Sequence, residues 1–428
     1  MNKILKVLSA ASMAAILAAC SSSNAPAQSS DKLTGTYSAS ITGEDWGCGV
    51  DKVTVKLSST VDSVTVDDVK VTEVKEATDW AAEGGPKVVK DLTTERTVTD
   101  AYLVDANGEK TTKASDTMVI EMTIDPNTGS PIWYSMESGY NQWSDPYTLN
   151  IEFKDAEIDA TPTAMTSPAD AWNMTTMTAG DFTYNVAEYK VDKAETLFVW
   201  LHGMGEGGAG TGINTDAGVT ILANKVTALA GEDFQETLGG VSVIAPQSPT
   251  MWMEGDKGEI AGPRHSKYEQ SLIELIDNYV KENNIKNVFI GGCSNGGYMT
   301  MNIALECGDK YTGYVPICEA MLDEYITDED IATLAKSNMY FVWAKNDETV
   351  LPEKYEEPTV ARIQAANPVN LSISVTDDVH DTTGKYDHLN EGKPYQYNGH
   401  WSWIYFDNDE TADQNGVSAF DWMAAIIK

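Results

Sequence analysis

The chain has 428 residues, 42% of them hydrophobic and 9% aromatic, enough to bury more than one core, and two domains are the expectation. Its 65 acidic residues against 29 basic ones leave a formal charge of −36. Such a surface repels phosphate backbones and anionic lipid heads, so nucleic acid is not expected as a partner.

In chain order, the first twenty residues, MNKILKVLSAASMAAILAAC, carry Lys3 and Lys6, then an apolar run too short to span a bilayer, then small residues before a cysteine. This pattern predicts export. Leu17-Ala18-Ala19-Cys20 resembles the lipobox of bacterial lipoproteins. The resemblance implies that residues 1–19 are a signal peptide, that Cys20 is lipidated, and that the protein faces outside the cytoplasm, touching the membrane only through its lipid. An ordinary cleaved signal with a coincidental cysteine is the alternative. Residues 20–31, rich in serine, read as a flexible tether. Cys48, Cys293, Cys307 and Cys318 fit no zinc or disulfide framework and are expected as buried thiols, a Cys307–Cys318 bridge being the alternative.

Residues 32–157 alternate like strands. Val53, Val55 and Leu57 share one face, as do Met118, Ile120, Met122 and Ile124, and Leu149, Ile151 and Phe153. Turn signals such as DANGE and DPNTGS separate the runs. An immunoglobulin-like β-sandwich is expected, although a small barrel reads much the same way. No chemistry stands out there, and the domain reads as a spacer, with a glycan- or partner-binding module as the alternative. Residues 158–180, containing ATPTAMTSPADAW, read as a linker.

From 181 to 428 buried strands alternate with amphipathic helices, the grammar of an α/β domain with a largely parallel sheet. TLFVWLHG and VSVIAP are continuous apolar runs, and Leu272, Leu275, Ile276, Tyr279 and Val280 share one helical face. NVFIGG, a helix from about Gly297 to Cys307, GYVPIC, NMYFVWAK, LSISVTDD and a closing helix, VSAFDWMAAIIK, follow.

At the junction of NVFIGG with its helix stands Gly292-Cys293-Ser294-Asn295-Gly296, the G-x-S-x-G of a nucleophile elbow. The turn strains the serine's backbone, and residues without a Cβ let strand and helix pass close beside it. A serine hydroxyl is a weak nucleophile and needs a base, which a carboxylate orients. With the order serine, acid, histidine, His202 and His265 come too early in the chain, and His380, His388 and His400 remain. His400 is favoured, because a glycine precedes it and large aromatics follow it in YNGHWSWIYF. His380 is the runner-up and His388 reads as a solvated loop residue. Asp347, just past the strand NMYFVWAK, is the expected acid. Its other reading is a loop cap.

The backbone N–H groups of Gly203 or Met204, in WLHGMGEGG, and of Asn295 are the expected oxyanion donors. Gly203, Gly205 and Gly208 also satisfy G-x-G-x-x-G, but no strand ending in an acidic residue lies about 20 residues on, so a dinucleotide site is not expected. Trp252 and Glu319 follow core strands and are read equally as substrate-pocket walls or as packing. DNDETADQNG lacks the register of a calcium hand and reads as a solvated acidic loop.

From about residue 180 onward, LFVWLHGMGEGG, APQSPTMWM, VFIGGCSNGGYMTMNIALE, FVWAKNDETV and YNGHWSWIY resemble the α/β-hydrolase domain of bacterial prolyl oligopeptidase-like and polyhydroxybutyrate depolymerase-like esterases. The resemblance implies Ser294 as nucleophile, Asp347 as acid and His400 as base, with no metal and no cofactor. It also implies a carboxylesterase acting on a small-molecule or polysaccharide-linked ester. A peptidase of the prolyl oligopeptidase kind and a non-catalytic binding protein on a hydrolase scaffold are the alternatives.

Overall fold

Alternation in the sequence builds the first domain. In the strand Gly47–Val61, Val53, Val55 and Leu57 all point into the interior. They meet Tyr37, Val71, Met118, Ile120, Leu149, Ile151 and Phe153 in one buried cluster. The computed structural model describes residues 32–214, 216–259 and 264–427; the leader and Cys20 lie outside them. Two sheets carry the cluster. One runs in the order 157–158, Thr34–Glu44, Gly47–Val61, Ser115–Met122, Val98–Val104, Lys110–Thr111. The other runs Tyr147–Phe153, Val69–Asp79, Lys87–Arg96. Inside the sandwich Arg96 Nη1 donates to Glu73 Oε1 at 3.2 Å, Tyr147 donates its hydroxyl to the same oxygen at 2.6 Å, and Lys75 pairs with Glu73 Oε2 at 3.0 Å. Arg96 also satisfies the carbonyls of Val50 and Thr123.

The expected linker at 158–180 is instead built into one sheet of each domain. Met165–Thr166 lies parallel to Thr34–Glu44, with Ala39 opposite Met165. Ser167 caps a short turn with Pro168 at its first position. Asn173–Ala179 is an edge strand of the second domain's sheet, and most of its residues are open to solvent. An edge strand needs little hydrophobic patterning, so its threonines read as loop.

The sheet of the second domain has eight strands: β1 (Asn173–Ala179), β2 (Phe182–Tyr189), β3 (Thr196–Leu201), β4 (Val241–Gln247), β5 (Asn287–Cys293), β6 (Gly313–Ile317), β7 (Asn338–Ala344) and β8 (Asn370–Thr376). Their spatial order is β1-β2-β4-β3-β5-β6-β7-β8. The two pairings that involve β2 are antiparallel and the rest parallel. Every residue of β3, β4, β5 and β6 is buried, as continuous apolar runs require. The helix Glu269–Asn283 covers the sheet through Leu272, Leu275, Ile276 and Tyr279. Because the strands from β3 to β8 run parallel, the loops that leave their C-terminal ends gather along one edge.

Cys48, Cys293, Cys307 and Cys318 are free thiols, and no Cys307–Cys318 bridge forms. The acidic stretch from Asp407 is less solvated than its composition suggests. Asp407 and Asp413 are buried, and Asp413 accepts the N–H groups of Asn415 and Val417.

Candidate active site

Ser294 joins β5 to the helix Asn295–Cys307 with φ 56° and ψ −114°, a conformation that costs a non-glycine residue about 1–3 kcal/mol. The surroundings hold it there. Its N–H donates to the carbonyl of Ile317, at the end of β6, at 2.9 Å, and its carbonyl accepts from Tyr298 N at 2.8 Å. From 287 to 305, Ser294 is the one residue that is not buried. The helix starts two residues earlier than its pattern suggested, directly after the serine. Gly296 is required by close approach: an added Cβ would overlap the Leu201 carbonyl and lie 2.7 Å from His202 O. The elbow is therefore pressed against the end of β3, which brings the loop after β3 beside Ser294.

Asp347 sits in the loop after β7 with its side chain fully buried. One carboxylate oxygen accepts the N–H groups of Thr349 at 2.8 Å and Val350 at 2.9 Å. The other lies 2.7 Å from His400 Nδ1. That bond makes Nδ1 the protonated nitrogen and leaves Nε2 as the acceptor. The His400 N–H donates to Asn398 Oδ1 at 2.9 Å, and the ring stands edge-on to Trp403 at 5.8 Å. His380 has a different carboxylate partner, Asp378, at 2.6 Å, and both are well exposed. His388 lies exposed in the turn Asp387–Asn390.

The loop after β3 is locked by His202. Burial pushes this imidazole down to about 4, so it is neutral at physiological pH. Its Nδ1–H donates to Gly203 O at 2.6 Å, and its Nε2 accepts the Ser248 N–H at 2.9 Å. Met204 then opens the short turn Met204–Glu206, just as Asn295 opens its helix. At the first position of a helical turn an N–H has no intrahelical acceptor. Both turns begin where the chain leaves the C-terminal ends of β3 and β5. Gly203 corrects the sequence reading: it packs against the Glu206 carboxylate instead, an added Cβ lying 3.0 Å from Oε2.

Of the two readings of Trp252 and Glu319, packing is the one that holds, because both are fully buried and neither walls an open pocket. The Trp252 N–H donates to Asn295 Oδ1 at 2.7 Å and its ring packs against His202, Tyr184 and Tyr268. It is packing beneath the loop after β3. Glu319 lies under the helix that follows Ser294, where an added Cβ on Gly297 would meet its backbone at 2.8 Å. Its Oε2 accepts the Met321 N–H, and burial raises its pKa. Burial, and then the neighbouring Glu319, raise that of Glu356 as well. Sequence reading passed over Glu206 and Glu356, since an acid in a glycine-rich or helical stretch reads as solvated.

Residues 36–161 match the family model described as the esterase Ig-like N-terminal domain. Over nearly the whole chain, the crystal structure of a thermostable esterase superposes with a TM-score of 0.64 at 17% identity, covering 89% of this chain and 97% of that one. The protein is an α/β-hydrolase fold behind an immunoglobulin-like domain. Est1E from Butyrivibrio proteoclasticus is also similar, at 17% identity and a TM-score of 0.32, over 50% of this chain and 93% of its own. No curated protein matches the chain. In the hydrolase domain Ser294, Asp347 and His400 stand on the loops after β5, β7 and β8 respectively, with Asp347 and His400 directly bonded.

Proposed function

We propose that the protein is a serine carboxylesterase. The observation that carries the reading is the buried Asp347 bonded at 2.7 Å to His400, on the sheet edge where the strained elbow exposes Ser294. Ser294 Oγ attacks the ester carbonyl while His400 Nε2 takes its proton, and Asp347 stabilises the imidazolium. The N–H groups of Met204 and Asn295 hold the oxyanion. His400 returns the proton to the departing alcohol, which leaves the acyl group on Ser294; it then draws a proton from a water that attacks this acyl group and passes it to Ser294 Oγ as the acid leaves. The names of the matched N-terminal family and of the thermostable esterase favour an ester over a peptide bond. Esters of small molecules, or esters carried on polysaccharide, are the substrate class.

The test is labelling by a fluorophosphonate alongside Ser294→Ala, Asp347→Ala, His400→Ala and His380→Ala. Labelling is expected to vanish in the first and collapse in the next two, while His380→Ala keeps it. An unlabelled wild type would overturn the reading. We also propose that the protein is exported and anchored through a lipid on Cys20. Wild type should incorporate palmitate and sediment with membranes, and Cys20→Ala should do neither; an unlabelled, soluble wild type would refute the anchor.

A further inference from the structure

The N-terminal domain meets the loop after β3 through one hairpin, whose strands Ile132–Tyr134 and Asn141–Trp143 pair antiparallel. Asn141 Nδ2 donates to Glu206 Oε1 at 2.6 Å. The Asn141 carbonyl accepts from Asn214 Nδ2 at 2.9 Å, and that amide also donates to Gly207 O at 3.2 Å. Gln247, at the end of β4, donates to the Glu206 carbonyl at 2.9 Å. The loop's glycines carry the imprint of the same hairpin. A Cβ on Gly205 would lie 2.8 Å from Asn141 Nδ2, and one on Gly208 would lie 3.3 Å from the Tyr140 ring. Gly205 of the G-x-G-x-x-G string therefore makes room for a protein neighbour, not for a phosphate, while Gly208 sits against Tyr140 with φ +90°, a backbone conformation that favours glycine.

Gly203 is held from two sides in this loop. The Gly203 backbone packs against the Glu206 carboxylate, where an added Cβ would lie 3.0 Å from Oε2, and the Gly203 carbonyl accepts the His202 ring N–H. Because a trans peptide is planar, holding that carbonyl on one side directs the Met204 N–H to the other. We propose that Asn141 is a positioning residue: by holding the Glu206 carboxylate, the immunoglobulin-like domain sets the direction of the Met204 N–H that receives the oxyanion. This rests on the serine esterase reading. Burial already pushes Glu206 up to about 7 against the Asn141 bond. Deprived of Asn141, the carboxylate turns to the nearest backbone N–H groups or takes a proton, and either response loosens the loop. The Cys293 thiol, from β5, and the His202 ring, on the same loop, are its titratable neighbours, and both are uncharged at neutral pH.

The experiment compares purified wild type, Asn141→Ala, Asn141→Asp and Ser294→Ala in p-nitrophenyl acetate hydrolysis and in binding of a boronic acid, which forms a tetrahedral adduct on serine. Asn141→Ala is expected to lower kcat about 10- to 100-fold at unchanged KM, part of the 10²–10³-fold that loss of an oxyanion donor costs. Boronate binding should weaken by the same factor. Asn141→Asp should be as slow as Asn141→Ala at pH 8. Relative to wild type it should recover at pH 5.5, where a proton shared with Glu206 donates in place of the amide. A kcat of Asn141→Ala within twofold of wild type, or a loss confined to KM, overturns the proposal. Should Asn141→Ala fail to fold, the pH-dependence of the Asn141→Asp ratio decides alone, and a flat ratio overturns it. A wild type without turnover, or a fully active Ser294→Ala, sinks the esterase reading itself and this proposal with it.

Discussion

Replacing Gly296 by alanine is a direct test of how the elbow is built. The added Cβ would overlap the Leu201 carbonyl and lie 2.7 Å from His202 O, and both obstacles are backbone. Side-chain Cβ atoms do not approach other atoms within 3.0 Å, so relieving the nearer overlap takes roughly 1 Å of separation between helix and β3. Neither element can give cheaply, since β3 lies between β4 and β5 in the sheet and the helix is buried on all sides as far as Leu305. Overpacking of this kind costs about 1–3 kcal/mol or more. A displacement of about 1 Å at the serine costs on the order of 10²-fold in rate. Gly239→Ala is the control: its φ is +75° but nothing lies within 4 Å, so it should lose about 1–2 kcal/mol by strain alone and keep its activity. Calorimetric melting and the kcat for p-nitrophenyl acetate measure both quantities. A Gly296→Ala protein as active and as stable as wild type would refute the reasoning that the glycine is there for close approach.

Three further outcomes are expected. Asp347→Asn keeps the bond geometry but favours the wrong imidazole tautomer, so kcat should fall about 10⁴-fold while His380→Ala stays within twofold; equal effects in the two would exclude Asp347 as the orienting acid. Burial raises Glu206 from 4.5 to about 7, so the folded state binds its proton more tightly than the unfolded chain and this stabilisation is lost as pH rises from about 4.5 through 7. That is roughly 3 kcal/mol at 1.36 kcal/mol per pH unit. Urea midpoints of Glu206→Gln should thus gain on wild type between pH 5 and pH 8, and parallel profiles would contradict the burial argument. Arg96→Met strands the buried Glu73 with only Lys75 and Tyr147, and should cost about 3–5 kcal/mol in urea unfolding; a loss below about 1 kcal/mol would mean that water replaces the guanidinium.

Much of this protein is written locally. The uninterrupted apolar runs of β3, β4 and β5 announce strands buried on both faces, and period-2 alternation announces the sandwich strands. The elbow is legible because a strained serine between strand and helix demands small neighbours within two residues of it. Five histidines and one chain order leave three candidates, among which the glycine before His400 and the aromatics after it favour it, and Asp347 is read from its place just past a strand. Their bond links positions 53 residues apart, which no local spacing encodes.

What the tertiary structure alone decided lies where distant segments meet. The threonine-rich stretch before β2 became an edge strand because strand pairing, not hydrophobic patterning, holds it. Trp252 and Glu319 proved to be packing, since solvent access depends on what folds over a residue. The loop glycines answer to Tyr140 and Asn141, more than sixty residues upstream in another domain. Glycines chosen for a neighbour and glycines chosen for a phosphate are identical in one dimension, because a glycine records only that space is needed, and the fold determines what fills it.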